Sequence, residues 1–320
     1  MRIVHLSPFY HPSNGGIETF CRELSIRTAR LGHEVHVITF TEANSLEEYD
    51  EGVLVHRVKP VLKWYKARFS PQVRRLIKEI RPDIVHIQAP APITQEFAMI
   101  NGYKYLATYH NDPVLTGRPD YKMSVWLYKQ LIFPRFYKGV DRIICPSKSF
   151  QQTSKFMELV PEEKKCVIPN GVDTSLFRPP PKAKANYKKR LGLDAEHVGI
   201  FVGSMERWHA YKEVGVLLAA LSKLHDIDLQ FIFIGDGELR PRYEARARKL
   251  INGKRVMFLG KVDKEKLIEC YWAADFLVLP STSRMECFGI VLIEAMASGC
   301  PVIVSNIPGP RDLVRDGFNG

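Results

Sequence analysis

Hydrophobic positions along the chain switch repeatedly between a period of two and a period near 3.6. Residues 3–7 (IVHLS) read as a short buried strand. After the loop PFYHPSNGG, the spacing of Phe20, Leu24 and Leu31 predicts a helix from Ile17 that ends at Gly32. Residues 34–40 (EVHVITF) alternate like a strand, and strand-like runs recur at 53–59, 83–88, 103–110 and 141–147. Helical stretches near 70–80, 92–100 and 121–138 fall between them. This alternation predicts the α/β class, with a parallel sheet covered by helices on both faces. The stretch 166–173 (CVIPNGVD), followed by Arg178 and three prolines, breaks the order and marks a boundary. Strands then restart at 198–204, 228–235, 256–260, 275–280 and 301–305, with helices at 211–224, 238–250 and 264–274. Two domains follow, 1–167 and 168–320, in keeping with a length of 320 residues.

Composition changes this picture little. A hydrophobic content of 45% and a charged content of 25% belong to an ordinary soluble globular protein. No run of 18 apolar residues occurs, and the N-terminus reads as a strand rather than a signal peptide, so a cytoplasmic protein is expected. The six cysteines are scattered without a C-x-x-C pair, which favours buried thiols over a disulfide framework or a zinc site.

The net charge of +11 does change the picture, because it calls for nucleic acid, an anionic membrane surface or an anionic small molecule as partner. Between Lys63 and Arg81, seven cationic side chains stand against the single carboxylate of Glu79, with Trp64, Tyr65 and Phe69 among them. Basic residues with interleaved aromatics suit peripheral contact with the inner, anionic membrane face. A sheet-packing helix with a solvated basic face is the other reading of Lys63–Arg81.

The candidate chemistry centres on residues 284–299, RMECFGIVLIEAMASG. Glu286 and Glu294 lie eight positions apart around a Phe-Gly pair. A helix beginning near Phe288 would place Glu286 in the loop before it and Glu294 about two turns in. A helix start beside a carboxylate suits a ligand anionic at one end and rich in hydroxyls at the other, as nucleotide sugars are. A buried helix with solvated glutamates is the alternative. Gly15 and Gly16 fall at the C-terminal end of the first strand, where open α/β sheets bind ligands. They form no G-x-G-x-x-G fingerprint and no P-loop occurs, so hydride transfer and P-loop chemistry lose support.

Taken in order, NGGIE (14–18), ATYHND (107–112), CPSKS (145–149), IPNGVD (168–173), FVGS…YK (201–212), IGDGEL (234–239), VMFLGKV (256–262) and ECFGIVLIEAMASGCPVI (286–303) carry a resemblance through nearly the whole chain. The set resembles the retaining nucleotide-sugar transferases of glycosyltransferase family 4. The resemblance implies the GT-B fold, two facing Rossmann-like domains with parallel sheets, the second holding most of a UDP- or GDP-sugar donor. It implies hexosyl transfer, with retained anomeric configuration, to a glycan or lipid-linked acceptor, with no metal or other cofactor.

Carried over residue by residue, Glu286 would contact the donor sugar's hydroxyls and Glu294 the ribose. The N–H groups of Phe288, Gly289 and Ile290 would meet the diphosphate, and Lys212 would neutralise it as it leaves. His110 would face the sugar near the reacting carbon, Gly15 and Gly16 would let the first loop close over the donor, and Lys261 and Val262 would lie against the base. The family often has arginine where this chain has Ser204, and Arg207 is the candidate substitute. The family pattern also implies further helices beyond Gly320.

Three rivals share parts of this evidence. A GT-B-like nucleotide-sugar 2-epimerase would keep the donor and need no acceptor. A phosphorylase would need inorganic phosphate or pyridoxal phosphate. A non-enzymatic binder of an anionic surface would explain the charge, but no nucleic-acid recognition module is present, so no nucleic-acid partner is expected.

Overall fold

The computed structural model describes residues 1–13, 15–43, 45–64, 67–113, 119–251 and 255–320. Asn14 of the NGGIE motif and Tyr65 and Lys66 of the basic segment lie outside the described residues. The chain divides into two compact units, Met1–Pro169 and Asn170–Gly320, each with its own sheet.

The first unit contains strands β1 (Arg2–Leu6), β2 (Glu34–Phe40), β3 (Leu46–Asp50), β4 (Val53–Val58), β5 (Leu62–Trp64), β6 (Ala67–Phe69), β7 (Ile84–Ala89), β8 (Lys104–Tyr109), β9 (Arg142–Cys145) and β10 (Lys165–Val167). Eight of these form one sheet in the order β10-β9-β8-β7-β1-β2-β4-β3, and β5 and β6 pair as a separate hairpin. Every pairing in the large sheet is parallel except β3 with β4, so the sheet is mixed rather than purely parallel.

Edge strand β3, LEEYD, is acidic and largely exposed, and no apolar alternation announces it. Besides its antiparallel ladder with β4, it is held by side-chain hydrogen bonds and ion pairs. The Nδ1 of His56 lies 2.7 Å from Glu47, Arg57 pairs with Glu48, and Arg22 donates to Asp50 at 2.6 and 2.7 Å.

Helix Gly16–Arg30 follows β1 as expected, but its buried side is Cys21, Ser25 and Ile26, while Leu31 is exposed. Phe20 meets the His110 ring instead in a T-shaped contact, at 5.1 Å between centroids. The basic segment resolves into the β5–β6 hairpin and the helix Gln72–Ile80, which buries Val73, Ile77 and Ile80 at i, i+4 and i+7. Replacing Ile77 by alanine would cost about 2–5 kcal/mol. Arg81 ends that helix in the left-handed region at φ 51°. The helical stretch predicted at 121–138 is one run, α over Pro119–Leu127, π over Tyr128–Ile132 and α over Phe133–Gly139. The aromatic rings of Phe133, Phe156 and Tyr109 meet beneath it.

The second unit contains β11 (His197–Val202), β12 (Leu229–Ile234), β13 (Val256–Gly260), β14 (Phe276–Leu279) and β15 (Val302–Val304), all parallel, in the order β13-β12-β11-β14-β15. Both faces are covered, so β11 and β12 are nearly continuous buried apolar runs. Each fully buried Ile or Phe contributes about 1.5–3 kcal/mol. The polar stretch after the prolines forms the helix Lys184–Arg190, whose Lys184 and Lys188 both bind Asp275, at 2.8 and 3.0 Å.

The chain runs outward through β12 and β13, then returns to lay β14 on the other side of β11. The carboxyl ends of β11 and β14 therefore flank a topological switch point, where open α/β sheets bind ligands. In the first unit, β1 and β7 flank the corresponding point.

Candidate active site

At the switch point of the second sheet, β11 runs out at Gly203. A Cβ there would lie 2.9 Å from Cδ of Lys212, so the lysine stem crosses the strand end where a side chain would stand. Arg207–Lys212 forms a 3-10 turn that Glu213 closes with a left-handed residue at φ 53°, and helix Val214–Leu221 leaves from there. On the neighbouring strand, β14 opens into the loop carrying Glu286. Thr282 stitches the two loops together, its N–H donating to the Tyr211 carbonyl at 2.9 Å and its hydroxyl to Glu213 at 3.1 Å.

The result is a direct ion pair between Nζ of Lys212 and Oε2 of Glu286, with both side chains only 11% exposed. The Ser281 hydroxyl lies 3.4 Å from the same carboxylate oxygen. Lys212 also sits 5.6 Å from the centre of the Tyr211 ring, whose phenol is raised by burial and by the Glu286 charge. A buried pair of this kind holds each charge in place for the other, and a third charged group entering the site must compete for both.

Behind Glu286, Gly309 adopts φ 103°, and a Cβ there would fall 2.5 Å from the Cys287 carbonyl and 2.7 Å from that of Glu286. Only glycine lets this backbone lie so close under the Glu286 loop. The helix that sequence spacing places near Phe288 begins at Ile290, and Phe288 is buried in the loop. Its N-cap is Gly289, at φ 86°, which has no side chain to cap the first turn. The Leu292 N–H donates to the Gly289 carbonyl at 2.9 Å, and the amides before it in this first turn have no side-chain cap, an arrangement that suits an anion. One face of this helix carries Glu294 inward, where the Tyr271 hydroxyl donates to Oε2 at 3.0 Å. Burial pushes the Glu294 carboxyl above the usual carboxylate range.

The remaining predicted residues occupy the same strand ends or turn away. Ser204 accepts from the Glu206 N–H at 3.3 Å. Lys261 and Val262 follow Gly260 at the end of β13, where the Gly235 N–H donates to the Gly260 carbonyl at 2.8 Å. Arg207 points outward, 77% exposed, with Nε 3.2 Å from Glu238. In this arrangement it pairs with Glu238, while Lys212 pairs with Glu286.

In the first unit, Gly15 is the N-cap of helix Gly16–Arg30, with extended backbone and the Glu18 carboxylate folded against it. His110 leaves β8 buried, its N–H donating to the Ala89 carbonyl at 2.8 Å and its Nε2 2.8 Å from Oε1 of Gln88. Burial, with a smaller contribution from His86, lowers its pKa to about 3, so the imidazole is neutral. With Gln88 Oε1 accepting, Nε2 carries the proton and Nδ1 keeps the lone pair. Among the described residues, no group of three or more His, Cys, Asp or Glu could hold a metal ion.

Sequence reading missed Tyr271, Ser281, Thr282, Gln88 and Gly309. Tyr271 has the pattern of an ordinary core aromatic, and the others signal their role only through contacts across loops.

Residues 14–176 match the family model described as Glycosyltransferase Family 4, and residues 184–320 match Glycosyl transferases group 1. The chain belongs to glycosyltransferase family 4. This family 4 chain is 28% identical over 321 residues to an uncharacterized glycosyltransferase of Methanocaldococcus jannaschii, covering 96% of this chain and 80% of the relative. It is 29% identical to the D-rhamnosyltransferase WbpZ of Pseudomonas aeruginosa, covering 96% and 78% of the two chains. Among solved structures, Anabaena HepE in complex with UDP-glucose superposes with a TM-score of 0.77 at 20% identity, over 100% of this chain and 84% of HepE. That likeness establishes the GT-B class of fold, two Rossmann-like units, for this family 4 chain.

Proposed function

We propose that this chain is a retaining hexosyltransferase that takes its sugar from a UDP- or GDP-sugar and delivers it to a hydroxyl of a glycan or lipid-linked acceptor. The observation that carries the reading is the buried Lys212–Glu286 pair beside the uncapped helix at Ile290, at the switch point of the second sheet. The complex of HepE with UDP-glucose supports the donor class.

In this reading Glu286 orients the sugar hydroxyls and Glu294, steadied by Tyr271, takes the ribose. The amides at Phe288, Gly289 and Ile290 and the ammonium of Lys212 receive the diphosphate. Ser204 and Arg207 flank it, and the main chain at Lys261 and Val262 takes the base. His110 and the helix start at Gly15–Gly16 supply the first unit's donor contacts. As the bond from the anomeric carbon to the diphosphate oxygen breaks, charge grows on that oxygen, and the lysine and amides stabilise it more than they stabilise the intact donor. The acceptor hydroxyl enters on the same face and passes its proton to the leaving phosphate. No residue is needed as covalent nucleophile and no metal is required.

The acceptor reading includes an anionic surface contacted through residues 63–81. There Lys63 and Arg68 are drawn onto Glu42 and Arg75 onto Glu79, leaving Lys78 and Arg81 exposed without those carboxylates. Among the described residues no helix is long and apolar enough to cross a membrane.

A panel of nucleotide sugars scored by thermal shift tests the donor. A donor at a hundredfold its dissociation constant should stabilise its unit by about 2.7 kcal/mol. Glu286→Ala and Lys212→Ala should each lower transfer by at least about 100-fold, the size of a lost transition-state contact. Wild-type turnover in either variant refutes the roles assigned.

A further inference from the structure

The helical run over Pro119–Leu127 and Tyr128–Ile132 has two apolar sides. Inward it buries Val125 and Tyr128, with Phe133 following. Outward it carries Met123, Trp126, Leu127 and Leu131, exposed by 58, 55, 41 and 66%. Steps of three, four and eight from Met123 place these four on one side of the run. Single exposed apolar side chains are ordinary, but four at helical spacing make a stripe that water alone does not favour.

Charge identifies what the stripe fits. From Lys122 to Lys138 the sequence holds four cations, Lys122, Lys129, Arg135 and Lys138, and no carboxylate. Lys122, Arg135 and Lys138 are exposed, bracketing the stripe at its two ends. A tryptophan among aliphatic side chains, framed by cations, is the composition of a helix lying in the headgroup layer of an anionic bilayer.

The helix Gln72–Ile80, with exposed Lys78 and then Arg81, rests on the same support. The Arg74 guanidinium lies 5.1 Å over the Phe97 ring, and Gln95 donates to the Tyr128 hydroxyl at 2.7 Å, both from the short helix Thr94–Ala98. The helical run 119–132 and the helix Gln72–Ile80 thus both pack on one short helix.

We infer that the outward face of residues 122–131 inserts into the interface of an anionic membrane, with Lys122, Arg135 and Lys138 contributing the electrostatic half of the attraction. The inference rests on the surface-bound acceptor proposed above and moves the main anchor from the hairpin cations, engaged with Glu42, to the stripe. One apolar wedge is a weak anchor, and a basic flank beside it makes the binding selective for anionic lipid.

The test uses the full chain with vesicles of phosphatidylcholine, with and without phosphatidylglycerol. Wild type should sediment with the anionic vesicles and its tryptophan emission should shift to the blue. The Trp126→Ser/Leu131→Ser variant, altered only at exposed positions and checked by circular dichroism, should bind about tenfold or more weakly. Lys122→Glu/Arg135→Glu should lose the preference for phosphatidylglycerol. Equal binding by wild type and the serine variant overturns the proposal, as does equal wild-type binding to both vesicle types. Lipid-free self-association of wild type that the serine variant abolishes also overturns it, by assigning the stripe to a second copy. Thermal shifts with UDP and with GDP are followed in parallel. The absence of both from both proteins removes the transferase reading while leaving the vesicle result to decide this one.

Discussion

Lys212 and Glu286 are each other's solvent. At 11% exposure neither charge is hydrated as it would be on a surface, so removing one leaves the other buried and uncompensated, at a cost of about 3–5 kcal/mol. Loss of activity in a single variant could therefore be confused with loss of fold. A cycle separates them. Lys212→Met should destabilise the second unit by roughly 3 kcal/mol, and adding Glu286→Gln should restore most of that, because the orphaned charge is gone. Transfer should stay lost in both proteins. Urea unfolding of the two singles and the double measures the coupling, and a strictly additive double variant would rule out a direct pair. Tyr271 permits a milder cut. Its hydroxyl donates to Glu294, and a hydrogen bond to a charged group is worth about 1.5–3 kcal/mol. With Glu294 proposed to take the ribose, which would be held alike before and during reaction, Tyr271→Phe should raise the KM for donor about tenfold while kcat changes little. A fall in kcat at unchanged KM would contradict that role.

Elements bring these residues together through backbone proximity, which can be tested at Gly309. It lies at φ 103° with its would-be Cβ 2.5 Å from the Cys287 carbonyl, so Gly309→Ala must move the segment that supports Glu286. The expected cost is about 1–3 kcal/mol of strain, with transfer falling further than stability alone explains. Gly317 is the control, at φ 71° with nothing within 4 Å, where alanine should cost strain but spare activity. Equal effects at both glycines would show that the Gly309 contact is irrelevant to the site. The same scale decides what the sequence reveals. Strands β1, β2, β4, β7, β8 and β9 and all five of the second sheet show as apolar runs or alternations, most continuous where both faces are buried, as in β11 and β12. Strand β3 does not, because cross-strand ion pairs rather than apolar alternation hold LEEYD at its edge. The hairpin strands LKW and ARF and β10, KCV, are three residues long with a charged residue in each, so no apolar run marks them, whereas the equally short β15, VIV, is wholly apolar. Glu286 and Glu294 were legible from a local motif. Their partners Ser281 and Tyr271 were not, because nothing local distinguishes a serine or a core tyrosine that faces a carboxylate from one that does not.

Across the whole molecule, histidine burial is lopsided. His5, His36, His56, His86 and His110 are all buried in the first unit, whereas His197 and His225 of the second are exposed and His209 is half-buried. Burial lowers the pKa of His86 to about 4 and that of His110 to about 3, and holds His5 well below its usual value. An unfolded histidine titrates near 6.5. These three groups therefore add stability that is complete above about pH 6.5 and is lost as the pH falls, because the unfolded chain takes up protons the folded unit refuses. Each contributes a slope of about 1.4 kcal/mol per pH unit, so the three together approach 4 kcal/mol per unit between about pH 6 and pH 5. Glu96 works against them, since burial raises its carboxyl and lets the folded unit bind a proton before the unfolded chain does. Glu294 has the same sign in the second unit, where no buried histidine opposes it among the described residues. Acidification from pH 7.5 to 5.5 should accordingly lower the melting transition of the first unit well ahead of the second and separate two transitions in calorimetry. Replacing His86 with glutamine should reduce the first unit's pH dependence without abolishing it, because His5, His56 and His110 are lowered by burial as well. Two transitions that move together, or a first transition indifferent to pH, would mean that the buried imidazoles are already balanced by protons elsewhere in the unit.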